Sequence, residues 1–278
     1  MNISSESPST TTPRPPRPKP MNITGWINLD KPAGVTSTDM VTAVKRALNA
    51  AKAGHAGTLD PLATGILPIA LGEATKTLHY VTDTMKAYTF TITWGEQRDT
   101  DDREGAVIAT SATRPTPDQI TSALPDFIGD ILQTPPQYSA VKINGERAYA
   151  LARAGQTVEI APRPVYIETL TLLSTTPDTA TLSCTCGKGT YVRSIARDLA
   201  ETLGTKGYIS ALRRTRVGCF DEKTAISLDS LREKVAQSPP QEIVLPLGQA
   251  LDDIPALHLT PTEAARIMSG NPVDLLSR

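Results

Sequence analysis

Side chains that bind metals or form disulfides are scarce in this sequence. Its 278 residues include three cysteines and three histidines. Cys184, Cys186 and Cys219 are too few for a disulfide framework or a four-ligand zinc site, and the signature of the zinc-dependent nucleobase deaminases is absent. We therefore expect a protein whose mechanism does not depend on a metal.

Long apolar runs are missing as well. No segment approaches the roughly 20 consecutive apolar residues that a membrane helix needs, and the hydrophobic share of 39% is ordinary for a globular protein. Residues 1–22 are polar and proline-rich and contain no apolar signal-peptide core. This composition predicts a disordered tail, a cytoplasmic protein and no membrane partner.

The formal net charge of −1 conceals an uneven distribution. Residues 133–220 contain 11 Lys and Arg against 6 Asp and Glu, a local net charge of +5. Such a stretch suits a surface that binds a polyanion, although an ordinary solvated surface accounts for the same charges. The acidic run at 99–102 predicts a solvated turn, with metal binding as the less favoured alternative.

Apolar periodicity and turn residues predict an α+β fold with a mainly antiparallel sheet, because hairpins and helices follow one another without regular βαβ repeats. The predicted strands cover 24–29, 66–71, 88–94, 165–174 and 180–186, and the predicted helices begin near Thr36, Thr116, Arg147, Val192 and Thr260. The run Ser238-Pro239-Pro240 marks a boundary between this domain and a short C-terminal segment.

One carboxylate lies in a loop rich in glycine and proline. Residues 54–65 read Gly-His-Ala-Gly-Thr-Leu-Asp-Pro-Leu-Ala-Thr-Gly and lead into the apolar strand. Pro61 biases the backbone of Asp60 away from helix, and the glycines permit sharp bends or the close approach of another molecule. A reactive carboxylate is presented in this way, but a tight structural turn uses the same residues.

The sequence of this loop resembles the active-site loop of the TruB-type tRNA pseudouridine-55 synthases, with a histidine and an aspartate at the same positions. Further blocks are similar to other motifs of that family and occur in its order, at 29–37, 86–88, 134–142, 187–194 and 211–214. The resemblance extends from about Gly25 to Phe220, which is most of the chain.

The resemblance implies the pseudouridine synthase fold, a mixed and mainly antiparallel sheet crossed by an RNA cleft. With the boundary at Pro240, it implies a catalytic domain at 23–240 that contains an RNA-gripping insertion at 133–160. Family members often end in a small PUA-like RNA-binding domain. Residues 241–278 are too few to close such a barrel, so we expect a partial PUA-like segment.

The resemblance also implies an isomerisation of uridine to pseudouridine in the T-loop of tRNA. The enzyme flips the nucleotide into a pocket, breaks the N-glycosidic bond and rejoins the base through carbon. Asp60 matches the essential carboxylate, Tyr88 the tyrosine that stacks on the uracil, and Arg193 the arginine that pairs with the aspartate. Attack at C1′, elimination to a glycal and attack at C6 stay open as routes for Asp60. A glycoside hydrolase is disfavoured because it needs two cooperating carboxylates.

Four more residues are implied to bind or support the substrate. His55 matches an RNA contact that helps to flip the nucleotide, Tyr191 would lie under the flipped base, and Leu212 would pack against it. Lys31 belongs to the lysine–proline motif and is expected to buttress the active loop. Since Tyr191 and Arg193 are two positions apart, an extended segment would place both on one face.

The insertion interleaves basic and aromatic residues, which suits an element that grips folded RNA. Its candidate contacts to the T-arm are Lys142, Arg147 and Arg153, and such contacts make affinity fall as salt rises. The alternative is a tRNA-binding or tRNA-folding protein that acts without chemistry. A third reading is a relative that acts on another RNA, such as ribosomal RNA. The default oligomeric state is a monomer.

Overall fold

A computed structural model describes residues 19–143, 145–156, 159–252 and 254–274 of the protein. The strands are β1 (Gly25–Lys31), β2 (Ala53–His55), β3 (Thr64–Leu71), β4 (Lys86–Trp94), β5 (Glu96–Arg98), β6 (Val107–Thr110), β7 (Gly129–Gln133), β8 (Lys142–Ile143), β9 (Glu146–Arg147), β10 (Arg163–Thr175), β11 (Thr179–Cys186), β12 (Gly207–Val217) and β13 (Phe220–Asp221). The helices are α1 (Ser37–Ala47), α2 (Leu78–Thr82), α3 (Pro117–Ala123), α4 (Ala148–Arg153), α5 (Val192–Thr202), α6 (Leu228–Gln237), α7 (Pro240–Ile243) and α8 (Pro261–Met268).

One nine-stranded sheet forms the centre of the molecule. Its order is β1-β3-β12-β4-β11-β10-β7, with β2 paired to β3 and β13 paired to β12. The strands pair antiparallel except for β3 with β12, which are parallel. The ribbons β5–β6 and β8–β9 stand apart from this sheet. The expected α+β fold with a mixed, mainly antiparallel sheet is therefore confirmed.

The core lies between this sheet and helix α5. Strand β11 buries every second side chain, as a strand with one solvated face does. Phe90 of β4 lies opposite Leu182 of β11, and Ile195 and Leu199 of α5 are fully buried in the same cluster. Burying side chains of this size stabilises the fold by about 1.5–3 kcal/mol each.

The starts of helices α1 and α3 could be predicted from the sequence because local hydrogen bonds set them. Thr36 and Asp39 form a capping box at α1, and Thr116 and Gln119 form another at α3. Strand β12 was not predicted. Its arginines interrupt the apolar alternation, and two register shifts against β4 displace its buried positions from a strict period of two.

The segment after Pro240 begins on the sheet. Leu245 exchanges two backbone hydrogen bonds of 2.8 Å with Trp26 of β1. A Cβ at Gly25 would lie 2.3 Å from the Leu245 oxygen, so this contact requires a glycine. The described residues 241–252 and 254–274 form helical turns and no strand. The partial PUA-like segment expected over 241–278 stays a prediction.

The expected disordered tail lies for the most part outside the described residues, which start at 19. Met21 is bound to the body, since its amide donates to Asn49 and its carbonyl accepts from Ala51. Among the described residues, no helix combines the length and the apolar character needed to span a bilayer.

Candidate active site

The loop between β2 and β3 places Asp60 at an edge of the sheet. The hydroxyl of Ser37 donates to the Leu59 carbonyl at 3.1 Å and accepts from the Leu59 amide at 2.9 Å. The Asp60 carbonyl accepts from the Ala63 amide at 3.1 Å. The loop backbone is thus fixed on both sides of Asp60, whose side chain is 33% exposed.

Arg193 holds the Asp60 carboxylate with two nitrogens. Its Nε lies 2.9 Å from Oδ2, and its Nη2 donates to Oδ1 at 3.3 Å. The Arg193 side chain is 6% exposed, so this ion pair has one buried and one accessible partner. A two-point contact fixes the orientation of the carboxylate as well as its position. The pairing that the resemblance implied is present.

The segment that carries Arg193 is helical rather than extended. Tyr191 is the N-cap residue of α5, and Arg193 lies in the first turn of that helix. The helix predicted to begin near Val192 is confirmed. The condition of an extended segment, in which Tyr191 and Arg193 would share a face, does not apply. The carboxylate is reached because the first turn of α5 points at the loop from across the cleft.

The acidic run at 99–102 is not a solvated turn. Asp101 and Asp102 are buried. Asp101 pairs with Nη1 of Arg197 at 3.1 Å, and Asp102 lies 3.8 Å from Nη1 of Arg193. Burial raises the pKa of Asp101 to about 6, against the opposing effect of Arg197. This loop therefore forms the second wall of the Arg193 site.

Tyr88 and Leu212 lie on neighbouring strands, β4 and β12. Tyr88 is half-buried, and burial raises the pKa of its hydroxyl, while the charge of Arg214 opposes this effect. Leu212 is buried and faces Phe90 across the strand pair. Leu59 and Leu62 of the active loop belong to the same apolar cluster. Tyr88 and Leu212 therefore share an apolar cluster with the leucines of the active loop, which suits a surface that packs against a base.

His55 ends β2, at the start of the loop. Burial lowers the pKa of its imidazole, and the charge of Arg214 lowers it further. Its buried Nδ1 has no hydrogen-bond partner among the described residues. The ring is thus neutral at pH 7 and is not held through Nδ1 by the fold.

Lys31 does not face the cleft. Its ammonium is fully buried and donates to the carbonyls of Pro32, Val35 and Pro61, at 2.9, 2.8 and 3.3 Å. Burial lowers its pKa to about 8. The expected support of the active loop is present, whereas a direct contact of Lys31 with substrate is excluded by this burial.

Tyr191 joins the site to the insertion. Its amide donates to the side chain of Gln133 at 2.8 Å, and its carbonyl accepts from the same side chain at 3.1 Å. The ring packs on a small cluster made by Val141, Ala148 and Ile160. Tyr191 is half-buried, and burial raises the pKa of its hydroxyl.

The three cations expected to contact RNA are all exposed. Lys142 on β8 and Arg147 on β9 are directly opposite in the ribbon, and Arg153 ends α4. Like charges that face each other across strands are unfavourable without an anion. This part of the insertion therefore presents a positive surface to solvent.

Two side chains of the site were missed by sequence reasoning. Asp102 was assigned to a solvated turn, and Arg214 was matched to a motif but given no role. Arg214 is buried at a position of β12 that faces inward. A charged residue at the buried phase of a strand was the available signal, because burial of an unpaired charge is costly.

Comparison with known families agrees with this geometry. Residues 45–192 match the model of the TruB family pseudouridylate synthase N-terminal domain, and residues 193–252 match the tRNA pseudouridylate synthase B C-terminal domain. The chain belongs to the TruB family. The limit between the two models falls at the start of α5, although α5 and β12 complete the same core and sheet as the preceding residues.

TruB relatives cover nearly the whole chain. A protein of Bradyrhizobium diazoefficiens, named tRNA pseudouridine synthase B, is 55% identical over 92% of this chain and 76% of its own length. A protein of Rhodospirillum rubrum with the same name is 54% identical over 91% of this chain and 83% of its own length.

Two solved structures are similar to this TruB chain over most of its length. A chain from a Cbf5-Nop10-Gar1 complex superimposes with a TM-score of 0.71 at 27% identity, over 94% of this chain and 74% of that one. A chain from an H/ACA RNP bound to a substrate RNA containing 2′-deoxyuridine gives 0.69 at 25% identity, over 90% of this chain and 67% of that one.

Proposed function

We propose that this TruB protein is a tRNA pseudouridine synthase that converts the uridine at position 55 of the T-loop to pseudouridine. The observation that carries the proposal is the Asp60 carboxylate, which is partly exposed and oriented by two nitrogens of the buried Arg193. The second carboxylate beside Arg193, that of Asp102, is buried. One oriented carboxylate beside an apolar wall suits an isomerase that retains its detached base. A hydrolase of glycosidic bonds uses two carboxylates and a water molecule.

Asp60 is the proposed reactive group. It breaks the bond between C1′ and N1 of uracil by attack at C1′, by elimination to a glycal, or by attack at C6. The base then turns and its C5 forms a bond to C1′. This step releases Asp60 from C1′ or C6, or returns to C2′ the proton removed in the elimination. The proton at C5 leaves to a base, and N1, freed from the sugar, takes up a proton. Arg193 is proposed to keep the carboxylate in the geometry that these steps need.

The remaining pocket residues are proposed to hold the flipped base. Tyr88 stacks on the uracil and accepts the C5 proton, Leu212 packs against the base, and Tyr191 lies beneath it. His55 at the loop entrance contacts the nucleotides that are displaced. Stacking on aromatic rings is a general way to hold a splayed base.

Lys142, Arg147 and Arg153 are proposed to grip the T-arm through its phosphates. We assign residues 23–240 to the catalytic domain, with the insertion at 133–160, and residues 241–278 to a C-terminal segment. One chain supplies every proposed site residue, so the proposed state is a monomer. A tRNA substrate implies the cytoplasm as the site of action.

The test uses the purified chain with an unmodified tRNA transcript, without metal or cofactor, and maps pseudouridine by chemical labelling. We expect one product, at uridine 55. Asp60→Asn should lower turnover roughly 10³-fold or more, the scale typical of a reactive group, and leave the Kd for tRNA within about threefold. Asp229→Asn is the matched control, because that carboxylate is 84% exposed on α6.

Product at another site of tRNA, or only in ribosomal RNA, would contradict the proposed substrate. Tight tRNA binding without product in the parent protein would favour the alternative, a tRNA-binding or tRNA-folding protein. A folding assay separates the two activities, since Asp60→Asn should fold tRNA as well as the parent if gripping alone is sufficient.

A further inference from the structure

Arg214 lies directly under the active loop. It is 2% exposed. Its Nε donates to the Ile66 carbonyl at 2.8 Å, its Nη2 to the Gly57 carbonyl at 3.0 Å and its Nη1 to the Thr58 carbonyl at 3.4 Å. One planar group thus spans the loop that carries Asp60 and the strand that follows it.

The backbone of Arg214 is equally close to this strand. A Cβ at Gly65, whose φ is +102°, would lie 2.1 Å from the Arg214 carbonyl oxygen. Gly65 is therefore needed for the parallel contact between β3 and β12. Both the main chain and the guanidinium of Arg214 set the position of the loop.

Arg214 has no carboxylate partner within 4 Å among the described residues. The adjacent Arg213 provides a contrast, because it pairs with Asp30 at 2.9 Å and with Glu222 at 2.6 Å. A buried cation without a counter-ion is costly unless other groups solvate it. Carbonyl dipoles supply part of this solvation.

Tyr88 supplies another polar group. It is the register partner of Arg214 across β4 and β12, and its hydroxyl lies beside the Arg214 guanidinium. The other ionisable groups around the hydroxyl are Cys184 and Cys186 on β11. Lys86 precedes Tyr88 by two residues, is also buried, and donates to the carbonyls of Thr82 and Thr84.

We propose that Arg214 is a positioning residue that fixes the Tyr88 hydroxyl relative to the Asp60 loop. The inference rests on the proposed function, in which Tyr88 accepts the C5 proton. The guanidinium belongs to the register partner of Tyr88. Its positive charge opposes the effect of burial and so favours the ionised, proton-accepting form of Tyr88. Through its donors the guanidinium holds the loop whose Asp60 breaks the glycosidic bond. One side chain thereby couples the positions of the two reacting groups.

The first readout does not depend on activity. The full chain carries 3,5-difluorotyrosine at position 88, and its ionisation is followed by fluorine NMR. In Arg214→Gln the midpoint of this ionisation should rise by about one pH unit, because the residue at position 88 loses a close cation. Arg216→Gln, an exposed arginine on the same strand, should leave it unchanged. An unchanged midpoint in Arg214→Gln would overturn the inference.

The second readout is a double-mutant cycle in turnover of tRNA. Arg214→Gln should lower kcat about 10–100-fold with the Kd for tRNA within about twofold. In a Tyr88→Phe background the same change should cost at least about threefold less, because only its effect through the Asp60 loop remains. Equal losses in both backgrounds would mean that Arg214 acts without Tyr88 and would overturn the inference. A parent that makes no pseudouridine would refute the proposed function, while the NMR titration still decides the contact.

Arg214→Lys covers the case in which Arg214→Gln does not fold. It keeps the positive charge but cannot contact three carbonyls and a hydroxyl with one planar fork. We expect a smaller rise of the midpoint and a loss of kcat that persists at saturating tRNA. An ionisation midpoint at position 88 and a kcat that both equal those of the parent would overturn the inference.

Discussion

Lysine and arginine have different roles in the active loop and in the insertion. At the loop, residues 54–65, two buried cations turn inward and bind backbone carbonyls, Lys31 at Pro61 and Arg214 at Gly57 and Thr58. In the insertion, residues 133–160, the cations turn outward, and Lys142 and Arg147 face each other in the open.

This difference separates chemistry from recognition. Groups that must meet a reacting atom within a fraction of an ångström gain from being fixed before the substrate arrives. Groups that neutralise phosphates gain from remaining hydrated and mobile until contact, because counterion release supplies the binding free energy. The comparison predicts that substitutions in the loop change kcat and that substitutions in the insertion change affinity and its salt dependence.

Of the three changes that test this comparison, Lys31→Met is expected to have the largest effect. It leaves the carbonyls of Pro32, Val35 and Pro61 without their donor, which costs about 1–3 kcal/mol for a buried polar group left unpaired. Because Pro61 follows Asp60, kcat should fall about 10–100-fold through misplacement of the carboxylate. Turnover at saturating tRNA and urea unfolding measure the two effects.

Lys45→Met on the exposed face of α1 is the control for this change. A Lys31→Met protein that keeps the parent kcat and loses only tRNA affinity would break the comparison. It would place Lys31 among the residues that grip RNA, against its full burial.

Asp101→Asn tests the contact that connects the Arg193 site to the insertion. Arg197 pairs with Asp101 and donates to the Thr134 carbonyl at the base of the insertion, at 2.8 Å. The pKa of Asp101 is raised from 3.8 to about 6, so the native state binds the proton more tightly than the unfolded state. This group therefore lowers the unfolding free energy as the pH rises from about 4 to 6, by about 1–3 kcal/mol in total.

Urea unfolding of parent and Asp101→Asn across pH 4.5–7.5 measures this effect. The stability of the variant relative to the parent should increase as the pH rises to about 6 and level off above it. Asp178→Asn, which removes an exposed partner of Arg114, is the control and should give a flat difference. If the stability difference between Asp101→Asn and the parent were also independent of pH, burial would not destabilise the ionised Asp101 carboxylate, and the prediction would be wrong.

The parts that the sequence predicted correctly are those set by neighbours along the chain. The capping box of Thr36, the alternation of β11 and the loop around Asp60 each depend on spacings of a few residues. The buried acidic turn was not predictable in this way. Asp101 meets its partner 96 residues later, and nothing in the local composition distinguishes a paired aspartate from a solvated one.

Arg193 illustrates a mixed result. The resemblance identified its contact with Asp60, and the apolar spacing predicted the helix near Val192 that carries it, but not that its side chain reaches the active loop from the first turn of α5. Tyr191, the N-cap of that helix, makes no side-chain cap. Its amide is instead bound by Gln133 from another part of the chain, so the usual sequence signal of a helix start is missing.

Lys142→Gln/Arg147→Gln/Arg153→Gln is expected to have the smallest effect per residue. The three side chains are exposed, so stability should not change, while the plot of log affinity against log salt should flatten by about 0.7–0.9 per lost phosphate contact. Titration of tRNA at several salt concentrations measures this slope, and kcat at saturating tRNA should stay within about twofold of the parent. Arg232→Gln/Lys234→Gln/Arg266→Gln on α6 and α8 removes equal charge elsewhere and should leave the slope intact. A triple variant with parent-like affinity and a reduced kcat would mean that the insertion acts in the chemistry, and the separation of the two regions would fail.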